Sequence, residues 1–233
     1  MPEQYIGGLP RWGSLRTATH RKVFFDGRWD YDLAGGKIIN GTKSRDPGNT
    51  GNIDVLRAGL LMGRVTASGL YAASVLGVTT NAEAIGATTI EVSAAVATEL
   101  VRRVGATGTF TLTGPAAANG PAQQETVTYS AVNVTTGDIT ATAIVNAYAA
   151  GSLLGDTDGS QFPSTLVPDG YGIKVTDVDN STSQNQPFPF VPIGGVIESG
   201  QIVLWPSDTG IRAWLVGMLN QQGGARFTFT HIM

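Results

Sequence analysis

Residues 52–74, NIDVLRAGLLMGRVTASGLYAAS, form an apolar, strand-rich stretch with bends at Gly59 and Gly63 and a turn at Ala67, Ser68 and Gly69. The pattern stops at Leu76 and Gly77, where the composition changes, and resumes near Asp158 to run to the end of the chain. The residues between, about 77–155, carry their own strand and helix patterns and only two basic residues, Arg102 and Arg103. Such a layout predicts one small β-domain interrupted by an inserted domain, with a long N-terminal arm in front. The expected class is mainly β with short helices (α+β). The expected divisions are 1–52 for the arm and a β-hairpin, 53–76 plus 157–233 for the β-rich body, and 77–156 for the insertion.

A length of 233 residues suits one large domain or two small ones. Charged residues make up 14% of the chain, well below the usual quarter or so, and glycine is abundant. That composition fits short strands joined by tight turns. The charge is unevenly placed: residues 1–75 hold ten Lys and Arg against six Asp and Glu, residues 76–233 five against twelve. A basic front on an acidic body suggests that the front meets an acidic surface. The charges are scattered and no nucleic-acid motif accompanies them, so no direct nucleic-acid partner is expected. The absence of cysteine excludes disulfides, thiolate metal sites and a cysteine nucleophile. The first ten residues have neither the basic nor the apolar region of a signal peptide, and no run approaches the ~18 apolar residues of a membrane span. A soluble protein made in the cytoplasm, with no membrane partner, is expected.

Residues 1–20 space the apolar side chains Tyr5, Ile6, Leu9, Trp12 and Leu15 among glycines and a proline, with no sustained period. The segment cannot bury enough surface to order itself. It is either a disordered leader or an arm that packs on something else. Val23, Phe24 and Phe25, then Asp26-Gly27, then residues 28–33 predict a hairpin in which Phe24 faces Trp29. Residues 37–53 read as a polar loop with a turn at Asp46-Pro47-Gly48-Asn49.

In the insertion, strands are expected at 88–92, 109–113, 125–131 and 138–145. A helix is expected over 94–104, with Ser93 as N-cap, an apolar stripe of Val96, Leu100, Val101 and Val104, and Gly105 after its end. This is a four-stranded β-α-β-β-β module. In the body, 170–175 reads as a strand and 194–204 as a strand pair around Ser199-Gly200. The segment 187–192 has three prolines, which confines it to a sheet edge or an extended contact. Ser207 is placed as N-cap of a helix whose apolar face is Ile211, Trp214, Leu215, Met218 and Leu219, and residues 226–232 alternate as a closing strand.

Little in the chain points to chemistry. Its two histidines, His20 and His231, sit in unrelated contexts, and no P-loop or dinucleotide fingerprint is present. Asp208-Thr209-Gly210 matches the aspartic-protease tripeptide, but no second copy exists and a helix follows, so helix capping is the better assignment. Asp156-Thr157-Asp158-Gly159-Ser160 starts like a calcium loop, but position twelve is Val167 where a bidentate Glu is required. A turn at the insertion boundary is expected there. No catalytic residue, cofactor or metal is expected.

The run Leu56-Arg57-Ala58-Gly59-Leu60-Leu61-Met62-Gly63, the turn at Ser68-Gly69, and Ile202-Val203-Leu204-Trp205-Pro206 followed by a short helix and a last strand resemble the head decoration (cement) proteins of tailed bacteriophages, the lambda-type family. The resemblance covers roughly 53–76 and 158–233; the hairpin and the insertion depart from it. It implies a non-enzymatic virion protein, a homotrimer at threefold positions on the outer surface of the expanded capsid. The arm would then dock on the major capsid protein and stabilise the shell against DNA pressure. Tyr5, Ile6, Leu9, Trp12 and Leu15 are the expected capsid-binding arm residues, and Phe188, Phe190 and Trp205 the expected trimer or capsid interface. The alternative is a tail-associated or surface-exposed β-protein that binds glycans, although Trp12, Trp29, Trp205 and Trp214 are dispersed in the sequence.

Overall fold

The computed structural model describes residues 20–25, 31–33, 37–176, 182–188, 191–221 and 226–230. The protein is mainly β, with several sheets and short helices, an α+β fold. The expected arm residues, Trp29, Phe190 and His231 lie outside the described residues.

The body holds two sheets and a ribbon. Strands β2 (Lys37–Ile39), β4 (Leu61–Arg64), β5 (Tyr71–Ala73), β12 (Pro163–Leu166) and β14 (Gln186–Phe188) form a five-stranded sheet in the order β12-β4-β5-β2-β14. The β4–β5 hairpin pairs Met62 with Ala73 and Arg64 with Tyr71. Its turn closes at Gly69, whose φ of +72° suits a residue without a Cβ and whose N–H donates to Val65 O at 2.8 Å. Residues 187–192 were expected at a sheet edge: β14 is an edge strand, but Val191 and Pro192 lie in the central strand of the second body sheet. β2 was expected to be loop: it is three residues long and pairs mainly through distant partners, Gln186–Phe188 and Tyr71. β3 (Val55–Leu56) and β13 (Ile173–Lys174) form a small antiparallel ribbon.

The second body sheet orders β1 (Tyr31–Leu33), β15 (Val191–Glu198) and β16 (Arg226–Thr230) as β1-β15-β16. β15 and β16 are parallel, from Gly194 with Arg226 to Glu198 with Thr230. A parallel pair needs a crossover, supplied by α2 (Thr209–Gln221). The expected strand pair around Ser199-Gly200 is instead one strand ending in a 3-10 turn, Ser199–Gln201. Pro192 sits in this central strand opposite a register shift between Tyr31 and Asp32. The Asp26-Gly27 turn and Trp29 of the expected hairpin lie outside the described residues. Of its described flanks, Phe24 pairs with Ile197 and Tyr31 with Gly194, both along β15, and Phe24 is 1% exposed in a core with Ile197, Leu215 and Phe227. Val23 and Phe24 share one core with Leu61, Leu166 and Ile197, and β2 pairs within the five-stranded sheet.

The insertion is a six-stranded sheet, β6 (Gly77–Val78), β7 (Thr89–Glu91), β8 (Gly108–Pro115), β9 (Ala122–Val132), β10 (Asp138–Ala141) and β11 (Leu153–Gly155), in the order β6-β11-β8-β9-β10-β7. Beyond β6, Thr79 pairs with Val92, and Thr80 N–H donates to Glu91 O at 2.9 Å. These bonds join the two edges and close the sheet into a small barrel. The four strands read from sequence are four of its six; the other two are the entering and leaving strands, too short to show a period. They pair with each other, Leu154 with Gly77, so the ends of the insertion lie side by side.

α1 (Ala94–Arg103) is capped by the Ser93 hydroxyl, which accepts from Val96 N–H at 3.3 Å. Val96, Ala97 and Leu100 join a core with Ile90, Phe110, Leu112, Val127, Tyr129 and Ile139. Val101 and Val104 of the expected stripe are only half-buried, while Arg103 is buried.

Candidate functional site

Two places in the molecule gather polar groups around a structural junction: the first described segment, residues 20–25, and the joint between barrel and body.

In the first of these, residues 21–24 lie between the turn after β12 and the end of β15. Arg21 and Gly170 exchange both backbone hydrogen bonds, at 3.0 and 3.1 Å. One carboxylate oxygen of Asp169 accepts from the N–H groups of Val23 (2.6 Å) and Phe24 (3.1 Å). Glu198 N–H donates to Val23 O at 2.8 Å, and the Arg21 guanidinium to Gln201 O at 2.6 Å. Val23 packs over Gly59, where a Cβ would come within 2.4 Å of Gln201 O. Asp46 is fully buried and holds Arg57 bidentately, Oδ2 to Nε at 2.6 Å and Oδ1 to Nη2 at 2.9 Å. Burial first, and then the Arg57 guanidinium, push the Arg21 pKa down. The described chain begins at His20, which is exposed and meets the exposed Tyr171 ring edge-on at 5.1 Å.

At the joint, Arg103 leaves the barrel helix and enters the body. Its Nε donates to Asp156 (3.1 Å), Nη1 to Ala73 O (2.6 Å) and Nη2 to the Ser160 hydroxyl (2.6 Å). Lys43 bridges Asp156 (3.0 Å) and Asp158 (2.6 Å). Burial pushes the Asp158 carboxyl up, but Lys43 and Ser160 outweigh it and hold it at about 2. Burial likewise works against the Lys43 ammonium, and its two carboxylates outweigh it and raise its pKa. The segment that begins like a calcium loop is a turn, as expected, and an ammonium sits between its carboxylates. Among the described residues no group of three or more His, Cys, Asp and Glu is placed to hold a metal ion.

A second seam joins the barrel to α2. Asp208, not Ser207, caps this helix: its Oδ1 accepts from Gly210 (2.8 Å) and Ile211 (3.0 Å) N–H, and its Oδ2 from Asn119 N–H at 2.5 Å. Asn119 returns the contact by accepting from Thr209 N–H at 3.0 Å. A Cβ on Gly210 would stand 1.7 Å from Gly120 O, so only glycine permits this approach. Ile211, Leu215 and Leu219 face the body core, and Trp214 lies with Thr111, Thr113 and Leu153 of the barrel.

Of the expected interface residues, Phe188 is 2% exposed and meets Tyr71 edge-on at 5.5 Å. Its ring belongs to the core with Ile39, Met62 and Val175, because β14 turns that face inward. Trp205 is half-buried and stacks on Phe229 at 5.6 Å. Asp169, Arg103 and Lys43 were not singled out by sequence; each is a lone charged residue whose partners are distant in the chain. An open trough of about 600 Å³ on the barrel is lined by Thr89, Asn133, Asp138 and Thr140, and its Asn133 and Asp138 side chains are engaged in a turn. Asn133 accepts from Thr135 and Thr136 N–H, and the Thr136 hydroxyl donates to Asp138. Among the described residues no helix is long and apolar enough to cross a membrane.

Comparison with known proteins returns no match to a family model, a curated protein or a solved structure.

Proposed function

We propose that the protein is a structural, non-enzymatic virion component that decorates the outer surface of an expanded phage head. It acts as a homotrimer whose N-terminal arms dock on the major capsid protein. The observation that carries this proposal is the arm root. The fold locks residues 21–24 to the body, while the preceding segment holds Tyr5, Ile6, Leu9, Trp12 and Leu15 without the periodicity to build a core of its own. An extended segment can add a strand to an exposed sheet edge, with backbone bonds giving affinity and side-chain pockets giving specificity. One arm binds weakly because ordering it costs free energy. Three arms on one trimer raise avidity by roughly 10²–10⁴ without a new contact. The sequence resemblance to lambda-type decoration proteins supplies the partner.

The test is co-sedimentation with expanded and with immature heads. The full chain binds expanded heads only. Removing residues 1–19 abolishes binding while light scattering still reports a trimer, and Trp12→Ala weakens binding, since buried aromatic anchors dominate interface energies. Full occupancy by the truncated protein would transfer the binding role to the body.

A further inference from the structure

We infer that Asp169 is a positioning residue for the N-terminal arm: through a single carboxylate oxygen it fixes the point and direction from which the arm leaves the body. The inference rests on the decoration reading for its consequence, and on geometry alone for the anchor. Asp169 Oδ1 takes two successive backbone N–H groups, of Val23 and Phe24, at 2.6 and 3.1 Å. These residues are 0% and 1% exposed, so water cannot replace the lost acceptor. Ionised acceptors make the stronger hydrogen bonds.

The neighbouring bonds explain why this group is the keystone. Gly170, next in the chain, exchanges both backbone bonds with Arg21 and holds φ at +148°. Asp169 and Gly170 together therefore grip residues 21–24 on one side, while Glu198 N–H takes Val23 O on the other. With Asp169 removed, the N–H groups of Val23 and Phe24 lose this acceptor, and the Arg21–Gly170 pair, the Arg21–Gln201 bond and the Glu198 bond remain. The root then frays. An arm that leaves a frayed root samples more directions, which lowers its effective concentration at the shell.

The experiment compares wild type, Asp169→Ala and Asp169→Asn as full-length proteins. Asn keeps an oxygen at the same place and is the conservative rescue. Amide hydrogen exchange at Val23 and Phe24 reads the anchor, and binding to expanded heads reads the consequence. Ala is expected to speed exchange at both amides at least tenfold and to weaken head binding about tenfold, while the Gly77–Gly155 barrel amides are unchanged. Asn restores most of both. Unchanged exchange in Asp169→Ala overturns the anchor, and faster exchange with undiminished head binding overturns the positioning role. A wild-type protein that never binds heads overturns the decoration reading and with it the positioning role, while exchange still decides the anchor.

Discussion

Arg103 and Asp156 meet at 3.1 Å with their side chains 1% and 6% exposed, one from the helix of the inserted barrel and the other from the first residue after its last strand. The pair ties the far side of the insertion to the point where the chain re-enters the body. Removing one partner of a buried ion pair strands the other charge. Lys43 remains on Asp156, so Arg103→Ala is expected to cost about 3 kcal/mol, at the low end for such a change, and to lower the melting temperature by roughly 6–12 °C. Arg103→Lys recovers only part of this, since one ammonium cannot span three acceptors set for a guanidinium. Calorimetry of the three proteins checks it.

The Asp158 carboxyl is held at about 2 against an ordinary value of 3.8. A depressed carboxyl adds stability that is complete above its unfolded pKa and is lost as pH falls through its folded one. The Lys43–Asp158 contribution therefore disappears between about pH 4 and pH 2. At the other end, Lys43 is raised above 10.5, so its contribution holds up to that pH and fades above it. In urea titrations, Asp158→Asn should be less stable than wild type at pH 6, with the gap closing by about pH 2. A gap that persists unchanged at pH 2 contradicts the assignment.

Asp208 takes two N–H groups at the start of α2. Asp208→Ala should cost about 1–2 kcal/mol, the usual range for a lost N-cap with an added tertiary bond. Ser207→Ala should stay within about 0.5 kcal/mol, as for surface changes away from such features. Chemical denaturation of both variants separates the two residues as caps.

The barrel has its own closed core and adjacent ends, so isolated residues 76–156 should unfold cooperatively. Sequence reasoning predicts that the body also survives replacement of 77–155 by a short Gly/Ser turn. The structure points the other way. Leu153 is part of the body core and Val78 packs against it, Trp214 lies on the barrel, and Asn119 caps α2 from the barrel side. The shortened protein should lose cooperative unfolding of the body, measured by near-UV circular dichroism against urea.

What the sequence determined by itself was local. The turn at Gly69 and the Ser93 cap with the helix after it depend on residues a few positions apart, or on what glycine does to a backbone. Even the wide apolar face of α2 was legible from its spacing, though not that it packs into the body core with Trp214 beside Thr111, Thr113 and Leu153. Tertiary structure decided the rest. Alternation says that Phe24 and Phe188 have an inner face, but not which sheet lies beneath it. Burial among distant side chains set Phe24 in a core with Ile197 and put Phe188 against Tyr71. β2, β6 and β11 are too short to carry a period, and they exist because strands tens of residues away complete their hydrogen bonds. Asp169, Lys43 and Arg103 look like ordinary surface charges in one dimension. Their meaning comes from partners 30 to 146 positions away, which no local pattern in the sequence reveals.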